Sequence, residues 1–449
     1  MVISIQLSIV LVFLFIINMY LIVHKRYDYV FSLLIILLTF ISKETNGLIS
    51  GVPYDNGGAI NISLAGYDVI IILIISCILR EGKYKVPRRI WTVVSINLLL
   101  VFFIRIVVDW ENFLSNKIFD NYLLPICLYF LICKHLNKKD MVKVIAILYS
   151  CILINSFIAC IEYFLGRSLF FHDYYMESVT WYPSVYLAQQ YGNPFRSIAL
   201  LGHPLTNCMY YLIGVVYLCN NSKKWNYNKW IQLFVLVFGI FTTNSRGAIL
   251  VLSLYIFYYA LSNKKAISLC CLTGVGAFCA MVFNLDKIYS DVFARDITGG
   301  SLLVRVNAIL NFRYISFFNI LFGVGFNNSG TIFSRYTGGA NAEISYLILL
   351  VENGIIGFVF LMIAFIAMYN RKMYKRLMDL KFSGLIHGML FCYLLYGATS
   401  NSFGDPGTLV YLLSFILAFS QIGKVVTNRE RTRYEFVLAS EKSSTKLPI

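Results

Sequence analysis

Long apolar stretches alternate with short polar breaks along nearly the whole chain. Thirteen such stretches can be read, at about 3–23, 29–42, 62–79, 90–108, 119–133, 141–164, 198–219, 229–243, 247–262, 265–284, 343–369, 384–400 and 407–423. Most have the length a helix needs to cross a hydrocarbon core. None alternates polar and apolar residues as a barrel strand does. The pattern predicts an all-α polytopic membrane protein with 12–13 transmembrane helices. Residues 1–423 form one integral membrane domain, and 424–449 form a basic cytoplasmic tail. Residues 3–23 carry no basic start and no small-residue cleavage site, so they read as a first spanning helix rather than a signal peptide.

The breaks sort by charge. One set (24–28, 80–89, 134–143, 220–229, 263–265, 371–381 and the tail from 424) holds 27 Lys and Arg. The other set (43–61, 109–118, 166–197, 244–247 and 285–342) holds 10, and Arg105 inside a helix completes the 38. Basic residues stay on the cytoplasmic side of short loops. The first set is therefore expected inside, with the N-terminus outside and the C-terminus in the cytoplasm. Composition agrees: 59% of residues are hydrophobic, 13% are charged, and the mean hydropathy is +0.71. A net charge of +16 does not point to nucleic acid. The basic residues follow the topology and are not interleaved with aromatics on a soluble segment.

The 11 cysteines lie in or beside apolar segments, without disulfide or zinc spacing. They read as small buried hydrophobes. The histidines are scattered and the acids unclustered, so no metal site is expected. No Gly-rich phosphate loop with Lys suggests nucleotide use. Two outer loops are long, about 166–197 and 285–342. The first is aromatic, with Phe171-His172-Asp173-Tyr174-Tyr175 and Trp181-Tyr182-Pro183. In the second, apolar residues recur at helical spacing from Ser301 to Ile320, predicting an amphipathic helix at the interface.

The chemistry concentrates in outer-side arginines. Arg246 sits in the polar break Thr242-Thr243-Asn244-Ser245-Arg246-Gly247 between two apolar runs. Arg196, Arg305 and Arg313 fall on the same side, as does Arg335. An arginine at a membrane boundary is costly unless water or an anion holds it. Guanidinium groups grip diphosphates bidentately and stay charged. A set of them would also stabilise charge building on a departing diphosphate. The alternative is that each reaches to the interface or pairs with a nearby acid.

Other candidates lie near the same side. His203, in Gly202-His203-Pro204, is either a ligand for a sugar hydroxyl or phosphate or a satisfied histidine beside a proline kink. Glu343 begins a long apolar run. It is a candidate general base on an acceptor hydroxyl, a counter-ion to the arginines, or a helix N-terminal acid. Glu352 and Asn353-Gly354, deeper in that run, predict a kink or a helix–helix hydrogen bond. Arg105 and Asp109 are spaced for an intrahelical ion pair. Asp68 and Glu162 are outer-half acids, read as partners for cavity arginines.

Several of these elements occur in one order. They are Arg196 with Gly202-His203-Pro204, then Asn244-Ser245-Arg246-Gly247-Ala248, then Arg305 ahead of Leu321-Phe322-Gly323-Val324-Gly325, then Glu343 to Gly357. Together they resemble the O-antigen polymerase and O-antigen ligase superfamily over about residues 190–360. The resemblance implies a metal- and cofactor-independent glycosyltransferase at the outer face of the bacterial cytoplasmic membrane. Its donor is a glycan on undecaprenyl diphosphate, its acceptor a sugar hydroxyl, and its partners the bilayer and a chain-length regulator. The residues implied for the diphosphate are Arg196, Arg246 and Arg305. Ligases typically carry His-Asn where this chain has Glu343-Ile344. That departure favours a polymerase of O-antigen, capsule or exopolysaccharide repeat units and makes Glu343 the candidate base.

Two alternatives stand beside it. A ligase moves finished glycan to another acceptor. A flippase of lipid-linked units needs a charged path open to both faces, whereas the charges within these helices gather near the outer end.

Overall fold

The computed structural model describes residues 12–13, 16–40, 88–108, 122–170, 172–178, 182–183, 186, 195–221, 226–262, 308–310, 312–325, 328–329, 332–333, 344–369, 380–398 and 409–422. Among them the secondary structure is helical, without strands. The helices are α1 (Tyr27–Phe40), α2 (Arg88–Val108), α3 (Leu124–His135), α4 (Lys138–Leu165) and α5 (His172–Ser178). They continue with α6 (Pro204–Asn221), α7 (Tyr227–Thr242), α8 (Arg246–Ser262), α9 (Phe317–Phe322), α10 (Ser345–Met368) and α11 (Leu380–Gly397). The last is α12 (Leu409–Ile422). Most expected helices therefore appear within a few residues of their predicted bounds. The segments 62–79 and 265–284 and the tail lie outside the described residues.

Local chemistry sets several ends. Asn137 caps α4 by accepting the Asp140 amide at 3.0 Å, and Asn226 caps α7 by accepting the Lys229 amide at 3.2 Å. Such caps satisfy donors that a helix start leaves unpaired. α4 ends at Gly166, whose left-handed φ of 68° lets its amide return to the Glu162 carbonyl.

Two expectations are corrected. The stretch 198–219 is not one helix, because its helix begins at Pro204. The amides of Ile198, Ala199 and Leu200 bond side chains of α4 instead of a helical ladder. Pro204 then fits the first helical position, where no amide is needed. The stretch 301–320 is also not one continuous amphipathic helix. Phe312–Tyr314 form a 3-10 turn, Ile315 turns into a small core with Ile348 and Val351, and Ser316 caps a new helix.

The main core is a large cluster running through α1, α2, α3, α4, α6, α7, α8, α11 and α12. α4, α6 and α7 approach closely at glycine: a Cβ at Gly239 would strike the Ser156 side chain and lie 3.3 Å from the Tyr211 ring. α10 packs against α2 on one side and α9 on another. It breaks at Gly354, whose φ of 66° and ψ of 172° suit only glycine. The break frees carbonyls that the incoming chain takes up: Val324 N donates to Val351 O and Gly325 N to Glu352 O. Ser329 Oγ donates to the Glu352 carboxylate at 2.8 Å. The kink expected at Asn353-Gly354 is therefore present, and Leu321–Gly325 fills it.

Among the described residues, two helices, α4 and α10, are long and apolar enough to cross a membrane, and the other apolar helices are shorter. Both expose apolar side chains along one side, with Ile154 and Phe157 on α4 and Ile355, Val359, Ile363 and Ile366 on α10.

Candidate functional site

The helix ends meet in two groups. In one, Lys143 pairs with Asp28 at 3.2 Å, and the Tyr27 and His135 rings lie 4.1 Å apart. These residues belong to two of the predicted inner breaks. The other group gathers the end of α4, the segment 195–203, the α7–α8 turn, the start of α6, and the ends of α10 and α11 that follow from it. The candidate site is in this second group.

Glu162, in the last turn of α4, is fully buried. One carboxylate oxygen accepts from Ser168 Oγ at 3.2 Å and Leu169 N at 2.9 Å. The other accepts from Ser197 Oγ at 2.8 Å, Ile198 N at 3.1 Å and Ala199 N at 2.7 Å. A buried carboxylate so supplied has its lone pairs satisfied. Seven residues earlier on α4, Asn155 accepts the Leu200 amide at 3.0 Å and donates to Asn207 Oδ1 at 2.8 Å. Asn207 in turn donates to the Ile198 carbonyl. The segment 197–200 is thus sewn to α4 by side chains.

The same segment carries Arg196 to the α7–α8 turn. Arg196 Nε donates to the Thr243 carbonyl at 3.0 Å, and Ser197 N donates to the Thr242 carbonyl at 3.0 Å. Arg196 is half-buried. Its two Nη groups have no hydrogen-bond partner among the described residues, so the terminal edge of the guanidinium is unpaired there. Asn244 makes the turn with a positive φ of 52°. Ser245 then caps α8 by accepting the Ala248 amide at 3.3 Å. Arg246 follows as the first residue of α8 and is exposed. Arg196 and Arg246, predicted to share a site, thus flank one turn at the positive end of a helix dipole.

α6 starts beside them. His203 Nδ1 accepts the Leu205 amide at 3.2 Å, so one face of the imidazole serves the helix start. Cys208 Sγ lies 2.6 Å from Thr243 Oγ1. The end of α11 spans the group: Tyr396 OH donates to the Leu205 carbonyl at 2.9 Å, and Leu394 O accepts from Tyr346 OH at 2.7 Å. The start of α10, just after Glu343, is therefore tied to the same helix that touches α6.

The loop 166–197 has its own small core. Tyr175 and Tyr182 are buried with Phe195. Tyr182 OH accepts the Ser168 amide at 3.0 Å and lies 2.9 Å from His172 Nδ1. Burial pushes the Tyr182 hydroxyl up to about 12.

The other predicted residues stand apart or unseen. Arg313 is exposed on the 3-10 turn, where its Nη2 donates to Tyr314 OH at 2.8 Å and its guanidinium lies over that ring. Nothing described joins Arg313 to Arg196. Arg305, Arg335, Glu343, Asp68 and Asp109 lie outside the described residues, as does the Arg105 side chain. Glu162 is not an arginine's partner among the described residues; its donors are backbone amides and serines. Sequence reasoning missed Ser197 and Thr243. The only cue was two polar residues, Asn155 and Glu162, two turns apart on an apolar helix. No group of three metal-binding side chains occurs among the described residues.

No family model matches this chain, and no curated protein matches it significantly.

Proposed function

We propose that this chain is an integral membrane glycosyltransferase that polymerises lipid-linked oligosaccharide repeat units at the outer face of the bacterial cytoplasmic membrane. The observation that carries the reading is Arg196. It is half-buried, fixed through Nε on the Thr243 carbonyl, and has its Nη edge unpaired among the described residues. Three residues on from Thr243, Arg246 heads an apolar helix. A fixed guanidinium with open donors, a second arginine and a helix N-terminus together suit a diphosphate.

The membrane reading is supported by the exposed apolar stripes on α4 and α10, which suit lipid and would be unfavourable in water. The ordered sequence elements suggest the donor, a glycan on undecaprenyl diphosphate. In the reaction, an acceptor sugar hydroxyl attacks the anomeric carbon of the donor. A new glycosidic C–O bond forms and the C–O bond to the diphosphate breaks. Undecaprenyl diphosphate leaves with its electron pair, and the hydroxyl proton passes to a base. Arg196 and Arg246, with Arg305, hold the leaving diphosphate. Glu343 is the base in this scheme.

The test is the glycan size ladder of a strain lacking the gene, complemented with wild type or with Arg246→Ala. The reading expects a full ladder with wild type and a single repeat on its usual anchor with Arg246→Ala, at equal protein levels. Long chains stranded on the polyprenyl carrier in the deletion strain would identify a ligase instead.

A further inference from the structure

We propose that Glu162 is the positioning residue for Arg196. The proposal rests on the reading of Arg196 as a diphosphate ligand and names what holds that ligand in place. Glu162 does not touch the guanidinium. It binds the chain on which the guanidinium is mounted.

Three observations carry it. First, the two carboxylate oxygens divide their work. One takes Ser168 and Leu169 at the start of the long loop, and the other takes Ser197, Ile198 and Ala199 at its end. A single side chain thereby ties the neck of the loop. Second, Ala199 has a φ of +42°, a conformation that an L residue avoids. Its amide makes the shortest of the five bonds, 2.7 Å to Glu162. Backbone strain of this kind persists only where the surroundings hold it, and it gathers at functional sites. Third, Ser197 bonds in two directions. Its hydroxyl goes to Glu162, and its amide goes to the Thr242 carbonyl. Arg196, next in the chain, bonds Thr243. The path from Glu162 through Ser197 to the α7–α8 turn is therefore continuous, and Arg196, the residue before Ser197, is anchored beside its far end.

The chemistry requires two acceptor oxygens. Three of the five partners are backbone amides, which can only donate, and they fall on both oxygens: Leu169 on one, Ile198 and Ala199 on the other. A glutamine of equal size keeps one acceptor oxygen and turns an NH2 group against the donors of the other half. Either the start or the end of the loop then loses its anchor. In both cases the segment carrying Arg196 loosens without any change in the charge of the guanidinium.

The test uses the full-length protein in lipid nanodiscs and measures binding of undecaprenyl diphosphate, with undecaprenol as the control. Wild type is expected to prefer the diphosphate, and Arg196→Ala to lose about tenfold in affinity. Glu162→Gln is expected to lose a similar factor. The double variant should bind no more weakly than Arg196→Ala alone, because both changes remove one interaction. Ser197→Ala removes a single donor and spares the rest. It should lose a few-fold, and that loss should also vanish on the Arg196→Ala background. It decides the matter if Glu162→Gln does not fold. Wild-type affinity in Ser197→Ala and Glu162→Gln, or losses that multiply with that of Arg196→Ala, would overturn the proposal. If Arg196→Ala itself binds like wild type, the diphosphate reading fails and takes this proposal with it. That failure is distinct, since it shows in the single arginine variant.

Discussion

The Ala199 amide meets the Glu162 carboxylate at 2.7 Å, and Ala199 holds a left-handed backbone there. Glycine would adopt that backbone freely, yet the chain has alanine, held by a buried acid. The contact fixes where the segment 195–201 lies against α4, and so where Arg196 meets the α7–α8 turn. Local backbone, packing of α4 against that segment, and the geometry of the candidate anion site are one arrangement.

Arg196→Lys should behave as a loss and not as a conservative change. Lysine cannot donate to Thr243 through Nε while presenting a planar pair of donors beyond it. The glycan ladder of a complemented strain is expected to shorten nearly as far as with Arg196→Ala, with unchanged protein in the membrane fraction. A full ladder with lysine would show that charge alone suffices there.

Gly354→Ala should destabilise the protein. Alanine at φ 66° and ψ 172° is strained, by about 1–3 kcal/mol. Its Cβ would also run into the Leu321 carbonyl and the Gly323 amide. The thermal midpoint of the detergent-solubilised protein should fall, and the segment 321–325 should become more accessible to protease. An unchanged midpoint would mean that α10 does not need its break.

Gly239→Val tests the packing of α7 against α4 and α6, one turn before the Thr242 and Thr243 carbonyls. The added methyls meet Ser156 and the Tyr211 ring where α7 crosses α4 and α6. Overpacking of this kind costs about 1–3 kcal/mol. The midpoint should drop. An undisturbed midpoint would contradict the packing described.

Much of the helix pattern is legible in the sequence, because apolar length and capping residues are local signals. The Asn353-Gly354 pair reads as a kink on the same grounds, and it is one. What fills the kink is not legible, since Val324 and Gly325 bond backbone carbonyls that carry no sequence mark. The same limit hides the Arg196–Thr243 bond. The stretch 198–203 misleads for another reason. Ile198 to Leu201 continue the apolar pattern of α6, but the amides of Ile198, Ala199 and Leu200 belong to Glu162 and Asn155 on α4. Glu162 stands out as an acid in an apolar helix, and only the fold shows that it serves amides rather than an arginine. The basic charge pattern predicts sides, and the contact of Lys143 with Asp28 joins two breaks of the predicted inner set.

Topology itself is open to direct labelling. Asn244→Cys and Lys25→Cys occupy exposed turns at the two groups of helix ends. An impermeant maleimide should label Asn244→Cys in intact spheroplasts and Lys25→Cys only after permeabilisation. The reverse order would invert the topology and move the candidate site to the cytoplasmic face.

The most direct measurement is turnover by the purified protein in nanodiscs, supplied only with undecaprenyl-diphosphate-linked repeat units. The account predicts a ladder of longer glycans on the carrier, with one undecaprenyl diphosphate released for each bond formed. Both should fall together in Arg196→Ala and Arg246→Ala. Repeat units that stay unjoined with wild type, or undecaprenyl diphosphate released without chain growth, would contradict it.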